Sequence, residues 1–227
     1  VAELPDLRAD LDIHVKEMGF GAPRLEDAIE KIEGTEHAAF IKDICQYLVL
    51  NQEEKTNAVM IWGAYSAGKT QFLYRLNEIF KLEYYHQTKG NFDCKYKSGR
   101  KLPHFIICEE GCLTNVFDPR DGYHGGKLFL EGQGKMTEQK NRNPRVKWVG
   151  VPIILTSNSL PSVMRHPIRE KNETDWSYND RLRNHGAIMS RVKLIECKVS
   201  HKNTEEFPYT SKDLAVYMQH ICNTLDN

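Results

Sequence analysis

Gly63, Gly68, Lys69 and Thr70 stand in the order G-x-x-x-x-G-K-T, with Ala64, Tyr65, Ser66 and Ala67 between the glycines. Each residue type suits one part of a polyphosphate. Glycines let backbone amides turn inward around phosphate oxygens, a lysine neutralises the terminal phosphates, and a hydroxyl ligands Mg2+. This is the pattern of a phosphate-binding loop, or P-loop. Two further polar groups close apolar runs: Phe105 to Cys108 leads straight into Glu109 and Glu110, and Val151 to Leu155 ends in Thr156-Ser157-Asn158. At the C-terminal end of a strand beside such a loop, one carboxylate holds Mg2+ through water and a second orients and deprotonates an attacking water. An asparagine there hydrogen-bonds both the terminal phosphate and that water. None of the nine histidines has metal-ligand spacing, and no nucleophile and base pair stands out.

The elements that must position these groups follow from periodicity. Val59 to Trp62 reads as a strand, and Gln71 to Leu82 has helix spacing with Phe72, Leu73, Leu76, Ile79 and Phe80 on one side. Further strands are expected at Tyr84 to Thr88, His104 to Cys108, Val151 to Leu155 and Arg191 to Val199. Continuous apolar strands belong in parallel sheets covered on both faces, so the expected class is α/β with a mostly parallel five-stranded sheet. Ahead of it, Leu4 to Met18, Arg24 to Ile32 and His37 to Leu50 read as three helices of a small acidic subdomain with no visible chemistry, and Asn51 to Thr56 as a linker. Lys212 to Leu225 closes the chain as an amphipathic helix. Asp118 to Gly126 and Leu160 to Arg183 read as loops. The expected division is 1–55 helical, 56–200 core, and 201–227 a helix packed on the core.

The totals narrow the function classes. A chain of 227 residues with 40% apolar content buries one good core plus a small flanking unit. No run approaches a bilayer span, and the acidic first twenty residues are unlike a signal peptide, so the expectation is a soluble intracellular protein with no membrane partner. Six cysteines without C-x-x-C pairing point to reduced thiols. The net charge is zero, yet residues 1–55 carry thirteen Asp and Glu against six Lys and Arg, so the remainder is basic and tilts towards polyanions. Part of that excess lies between Lys127 and Lys147, where Lys140-Asn141-Arg142-Asn143-Pro144 reads as the cationic tip of a β-hairpin able to track a phosphate backbone. The absence of an initiator methionine suggests a piece of something longer.

GAYSAGKT, FIICEE and PIILTSN, in that order and at these separations, resemble the three motifs of superfamily 3 helicases, the compact AAA+ type motors of small DNA viruses and related plasmids. The wording is most similar to parvovirus non-structural and papillomavirus replicative helicases, over Ala58 to Val199. The resemblance implies ATP and Mg2+ at residues 63–70, Thr70 and Glu109 on the metal, Glu110 as base and Asn158 as sensor. It implies single-stranded DNA at Lys140 and Arg142 of a basic hairpin, and assembly with other copies into a hexamer or other ring through the helical subdomain. Ser190-Arg191-Val192 resembles the strand that carries a trans-acting arginine finger, which makes Arg191 the candidate, with Arg181 and Arg183 as competitors. For a eukaryotic virus protein the implied location is the host nucleus, otherwise the cytoplasm. Both acids after the strand are glutamate where the family frequently has aspartate, so their division of labour stays open. No origin-nicking motif is present. The implied activity is an ATP-driven DNA helicase motor in viral or plasmid replication. The rivals are an RNA-virus type superfamily 3 NTPase, a P-loop small-molecule kinase, and a scaffold whose nucleotide only sets assembly.

Overall fold

A computed structural model describes residues 5–49, 58–84, 86–88, 91–93, 103–131, 151–198 and 207–225. Its strands are Ala58–Gly63 (β1), Leu82–Tyr84 (β2), His86–Thr88 (β3), Asn91–Asp93 (β4), Phe105–Glu109 (β5), Ile153–Ser157 (β6) and Val192–Cys197 (β7). The main sheet runs β2-β5-β6-β1-β7, and every pairing in it is parallel. Four strands of five or six residues form its body, and the three-residue β2 is an edge. The strand expected at Tyr84 to Thr88 is corrected. Pairing with β5 stops at Tyr84, opposite Ile107, and β3 turns to pair antiparallel with β4 in a separate ribbon. A sheet covered on both faces has no place for the polar run His86-Gln87-Thr88.

Alternation along the strands feeds two cores. Val59, Ile61, Phe105, Ile107 and Ile154 face one side, while Ala58, Met60, Ile106, Cys108, Ile153 and Leu155 face the other, all buried. Both registers are apolar, which is why these strands read as unbroken hydrophobic runs. Each fully buried Leu, Ile or Phe contributes roughly 2 kcal/mol.

The helices are Leu7–Met18 (α1), Leu25–Glu33 (α2), His37–Val49 (α3), Lys69–Ile79 (α4), Glu110–Val116 (α5), His124–Leu130 (α6), Asp175–Met189 (α7) and Ser211–Leu225 (α8). Helices α1 to α4 and α8 share the first core through Leu11, Ile32, Phe40, Phe72 and Met218, so the N-terminal helices pack with the sheet and the last helix in one cluster. Helices α5 to α7 cover the second face with Leu113, Phe129 and Ile188. Two stretches expected as loops contain helix. Within 118–126 the chain forms a turn of 3-10 helix at Pro119–Asp121 and then enters α6. Within 160–183 it starts α7, which buries only Ile188. A helix this polar shows no apolar stripe. It is held by its ends: the Thr174 hydroxyl accepts from Ser177 N–H at 3.2 Å, and Arg181 pairs with Glu173 just before the helix.

Helix α8 is anchored by a reciprocal cap. Asp213 N–H donates to the Thr210 hydroxyl at 3.2 Å while Thr210 N–H donates to the Asp213 carboxylate at 2.8 Å. The carboxylate also accepts from Lys31 of α2 at 2.9 Å. Among the described residues no helix is long and apolar enough to cross a membrane. Cys45, Cys108, Cys112, Cys197 and Cys222 are free thiols, and Cys94 lies outside the described residues.

Burial pushes the Asp213 carboxyl up, but the Thr210 amide, Lys31 and the Thr210 hydroxyl outweigh it, and the net shift is downward. A lowered folded-state value means that its contribution is present above the ordinary carboxylate range and is lost as pH falls below it. Asp213→Ala is expected to cost about 2 kcal/mol at neutral pH, and the difference from the wild type narrows in acid; thermal melts of both proteins from neutral pH down to pH 3 check this.

Candidate active site at the ends of three strands

The loop from Gly63 to Gly68 joins β1 to α4, and its backbone is tied to its neighbours. Gly63 has φ 131° and Gly68 φ 81°, conformations that favour glycine. A Cβ on Gly63 would sit 2.2 Å from the carbonyl oxygen of Cys197 on β7. Ala64 N–H donates to that same oxygen at 3.1 Å, which stitches the loop to the adjoining strand. At the far end, Phe72 N–H donates to Gly68 O at 2.8 Å and begins α4. The first-turn amides of α4 therefore open toward the loop, a geometry that favours anions.

Lys69 is buried at 8% exposure, and its ammonium donates to Gly63 O at 2.9 Å and Ala64 O at 2.7 Å. Burial lowers its pKa, opposed by the nearby Cys197 and Glu110. Burial also pushes the Cys197 thiol up to about 11, with Glu36 adding and Lys69 opposing, so the sulfur stays protonated and is no nucleophile at neutral pH. Ala64, Tyr65, Ser66 and Thr70 are exposed, whereas Ala67 is buried.

The acids and the asparagine arrive from the two strands beyond β1. Glu109, the last residue of β5, is in register with Thr156 of β6, and Ser157 of β6 with Trp62 of β1. Strand ends spaced ~4.8 Å apart thus bring Glu109, Asn158 and Gly63 to one edge of the sheet, within roughly 10 Å. Glu110 opens α5, and its carboxylate accepts from the Asn158 side-chain amide at 2.8 Å. The structure therefore brings together Lys69, Thr70, Glu109, Glu110 and Asn158.

An exposed hydroxyl, two exposed carboxylates and an ammonium beside an amide-lined loop fit Mg2+ held largely by phosphate and water, the usual habit of that ion. Among the described residues no group of three or more His, Cys, Asp or Glu gathers to hold a metal by protein ligands alone.

Arg191 is placed elsewhere. Its carbonyl accepts from Ala58 N–H at the start of β1, five residues and roughly 16 Å of strand from Gly63. Its guanidinium donates to Glu131 at 2.7 Å. Arg181 is paired with Glu173, which holds that carboxyl down to about 2, while Arg183 is exposed with no ion pair among the described residues. Lys140 and Arg142, with the rest of the expected hairpin, lie outside the described residues.

One contact has no counterpart in the motif reading. His37, the first residue of α3 and 1% exposed, places Nε2 2.9 Å from Ala67 O and Nδ1 2.6 Å from the Tyr209 hydroxyl. A carbonyl only accepts, so Nε2 carries the proton and Tyr209 donates to Nδ1. In the sequence His37 is only a polar residue opening an amphipathic helix, and nothing there signals this role.

No protein-family model matches the chain, and no curated protein matches it. Among solved structures, two A-form apo chains of the NrS-1 C-terminal region align with TM-score 0.42, and another apo chain of that region with 0.43. Each is 14% identical over 98% of this chain, and the chain spans about half the length of the NrS-1 chains it matches.

The tightest constraint in the site is the approach of Cys197 to Gly63. Gly63→Ala is expected to lower stability by more than 2 kcal/mol, because strain at positive φ and a backbone clash add. Gly111→Ala, whose Cβ meets nothing within 4 Å, serves as the control and leaves the melting temperature unchanged or higher. Parallel thermal melts of the two variants check it.

Proposed function

We propose that this chain is the motor domain of an ATP-driven DNA helicase of superfamily 3 type, acting in viral or plasmid DNA replication. The observation that carries the reading is the convergence of Lys69, Glu110 and Asn158 from β1, β5 and β6 at one edge of a parallel sheet, with Glu110 and Asn158 hydrogen-bonded to each other. The helicase identity, as distinct from NTP hydrolysis, is supported by the motif wording and the basic 127–147 stretch.

In this reading the loop amides and Lys69 bind the β- and γ-phosphates of ATP. Thr70 and Glu109 hold Mg2+, which when bound neutralises charge developing on the phosphate oxygens. Glu110 accepts a proton from the attacking water, and Asn158, fixed against Glu110, aligns that water with the terminal phosphate. Little covalent help is needed, since phosphoryl transfer depends mostly on position and charge. Because Arg191 lies at the opposite end of its own sheet, it serves the site of an adjacent copy in a ring, and Lys140 and Arg142 grip one DNA strand.

Lys69→Ala is expected to lower ATP turnover by a factor of about 100 to 1,000 while the circular dichroism spectrum stays that of the wild type. Phosphate release measured without any acceptor, and stimulated by single-stranded DNA, is the expected wild-type behaviour; turnover that survives Lys69→Ala, or that requires a small-molecule acceptor, overturns the assignment. The double variant Lys140→Ala/Arg142→Ala is expected to weaken single-stranded DNA binding and to flatten the log–log salt dependence by about 1.4, two contacts at 0.7 each. ATP affinity is unchanged in that variant, and fluorescence titrations at several salt concentrations provide the check.

A further inference from the structure

The phosphate loop is held from behind by a side chain that belongs to none of its motifs. His37 sits in the first core against Phe40 and Phe72, with ring centroids 4.8 and 6.2 Å away, and its Nε2–H donates to Ala67 O. Phe207 and Tyr209 close the far side at 5.6 and 5.7 Å. The same group leaves no room at Gly68: a Cβ there would lie 2.7 Å from the Phe207 ring and 2.9 Å from the His37 ring.

The consequence lies in the peptide plane. Ala67 C=O and Gly68 N–H belong to one planar peptide, and no peptide bond in the described chain is cis, so the two groups point in opposite directions. Fixing the carbonyl toward His37 turns the Gly68 N–H away from the core, to the side where Ala64 to Ser66 are exposed. An amide with that orientation is the donor an anion needs, and without the hydrogen bond the peptide is free to rotate about its flanking dihedrals.

We propose that His37 is a positioning residue for phosphate binding: its Nε2–H···Ala67 O hydrogen bond, with the tautomer held by the Tyr209 hydroxyl, presets the Ala67–Gly68 peptide so that the Gly68 amide faces the nucleotide phosphates. The inference rests on the reading of residues 63–70 as a triphosphate site. Burial raises the Tyr209 phenol well above its ordinary pKa, which keeps it a donor to Nδ1. Tyr209 O also accepts from Arg75 Nε at 3.4 Å, and Arg75 lies over the Phe207 ring at 5.8 Å, so α4, α3 and the segment before α8 meet at this one histidine. Nucleotide affinity is thereby linked to the seating of the helical layer on the loop.

Glutamine places its amide nitrogen where Nε2 of histidine lies, whereas leucine offers no donor. ADP titrated calorimetrically into His37→Leu is expected to bind about tenfold more weakly than to the wild type, and His37→Gln to return to within about threefold. Tyr209→Phe is expected to fall between them. At saturating ATP, kcat of His37→Leu drops no more than about threefold, since Lys69, Glu110 and Asn158 are untouched, so the loss appears in KM. A folded His37→Leu that binds ADP as tightly as the wild type overturns the proposal, and so does a His37→Gln that loses as much as His37→Leu. Should His37→Leu not fold, an ADP affinity of Tyr209→Phe equal to that of the wild type overturns it instead. A wild-type protein that binds no ADP sinks the triphosphate reading itself, whereas intact wild-type affinity with an indifferent His37 sinks the positioning role alone.

Discussion

The backbone of β7 passes so close to the end of β1 that no side chain fits at Gly63, and the candidate site is laid out from that contact. The Cys197 carbonyl both excludes a Cβ at Gly63 and accepts the Ala64 amide, so the chain must turn out of the sheet at this point and in this direction. The loop then has only a few residues before Gly68, in a left-handed conformation, begins α4. Within this short connection Ala64 N–H is taken by Cys197 O and Ala67 N–H by Ala64 O at 3.4 Å, so an anion would be met by the remaining amides and the first turn of α4, with the buried ammonium of Lys69 adding a positive charge beside them.

Parallel pairing supplies the rest. Every strand of the main sheet points the same way, so the residues that follow β1, β5 and β6 emerge at one edge whatever the intervening chain does. Glu109 and Glu110 come 40 and 41 positions after Lys69 and Asn158 another 48 after Glu110, yet the ladder places them within a few strand spacings. Both faces of the sheet are covered and apolar, so it is the fit of side-chain shapes rather than polarity that holds strand register. A slip of one residue would send Val59, Ile61 and Ile107 into the opposite core and their neighbours with them.

What the sequence made legible was what obeys a local rule. The glycine loop, the apolar strands and the acids closing β5 carry their information in adjacent residues. Helices α1 to α4 and α8 show apolar spacing because one side of each is buried. Helix α7 escaped for the converse reason: one buried side chain leaves no periodicity, and its support comes from a cap and ion pairs that resemble loop composition. The edge strand is hidden because Leu82, its one clearly core residue, continues the apolar spacing of the preceding helix. His37 was invisible on other grounds. Its partners Ala67 and Tyr209 lie 30 and 172 positions away, and such a contact leaves no trace in any window of a single sequence.

The arginines show how far one chain can complete such a site. Arg191 lies at the N-terminal end of the sheet, against Ala58, while the loop lies at the C-terminal end, so within one molecule the two never meet. In the proposed ring, where Arg191 would reach the phosphates of a second copy, it would first have to give up Glu131, whose carboxylate is itself 11% exposed. Leaving that acid buried and unpaired is costly unless the approaching copy supplies a replacement donor. Arg181 faces the same obstacle at Glu173. Arg183, exposed and without an ion pair among the described residues, would need no such exchange. The choice among the three therefore turns on whether an interface between copies brings its own partner for Glu131, a requirement that motif likeness does not address and that desolvation imposes.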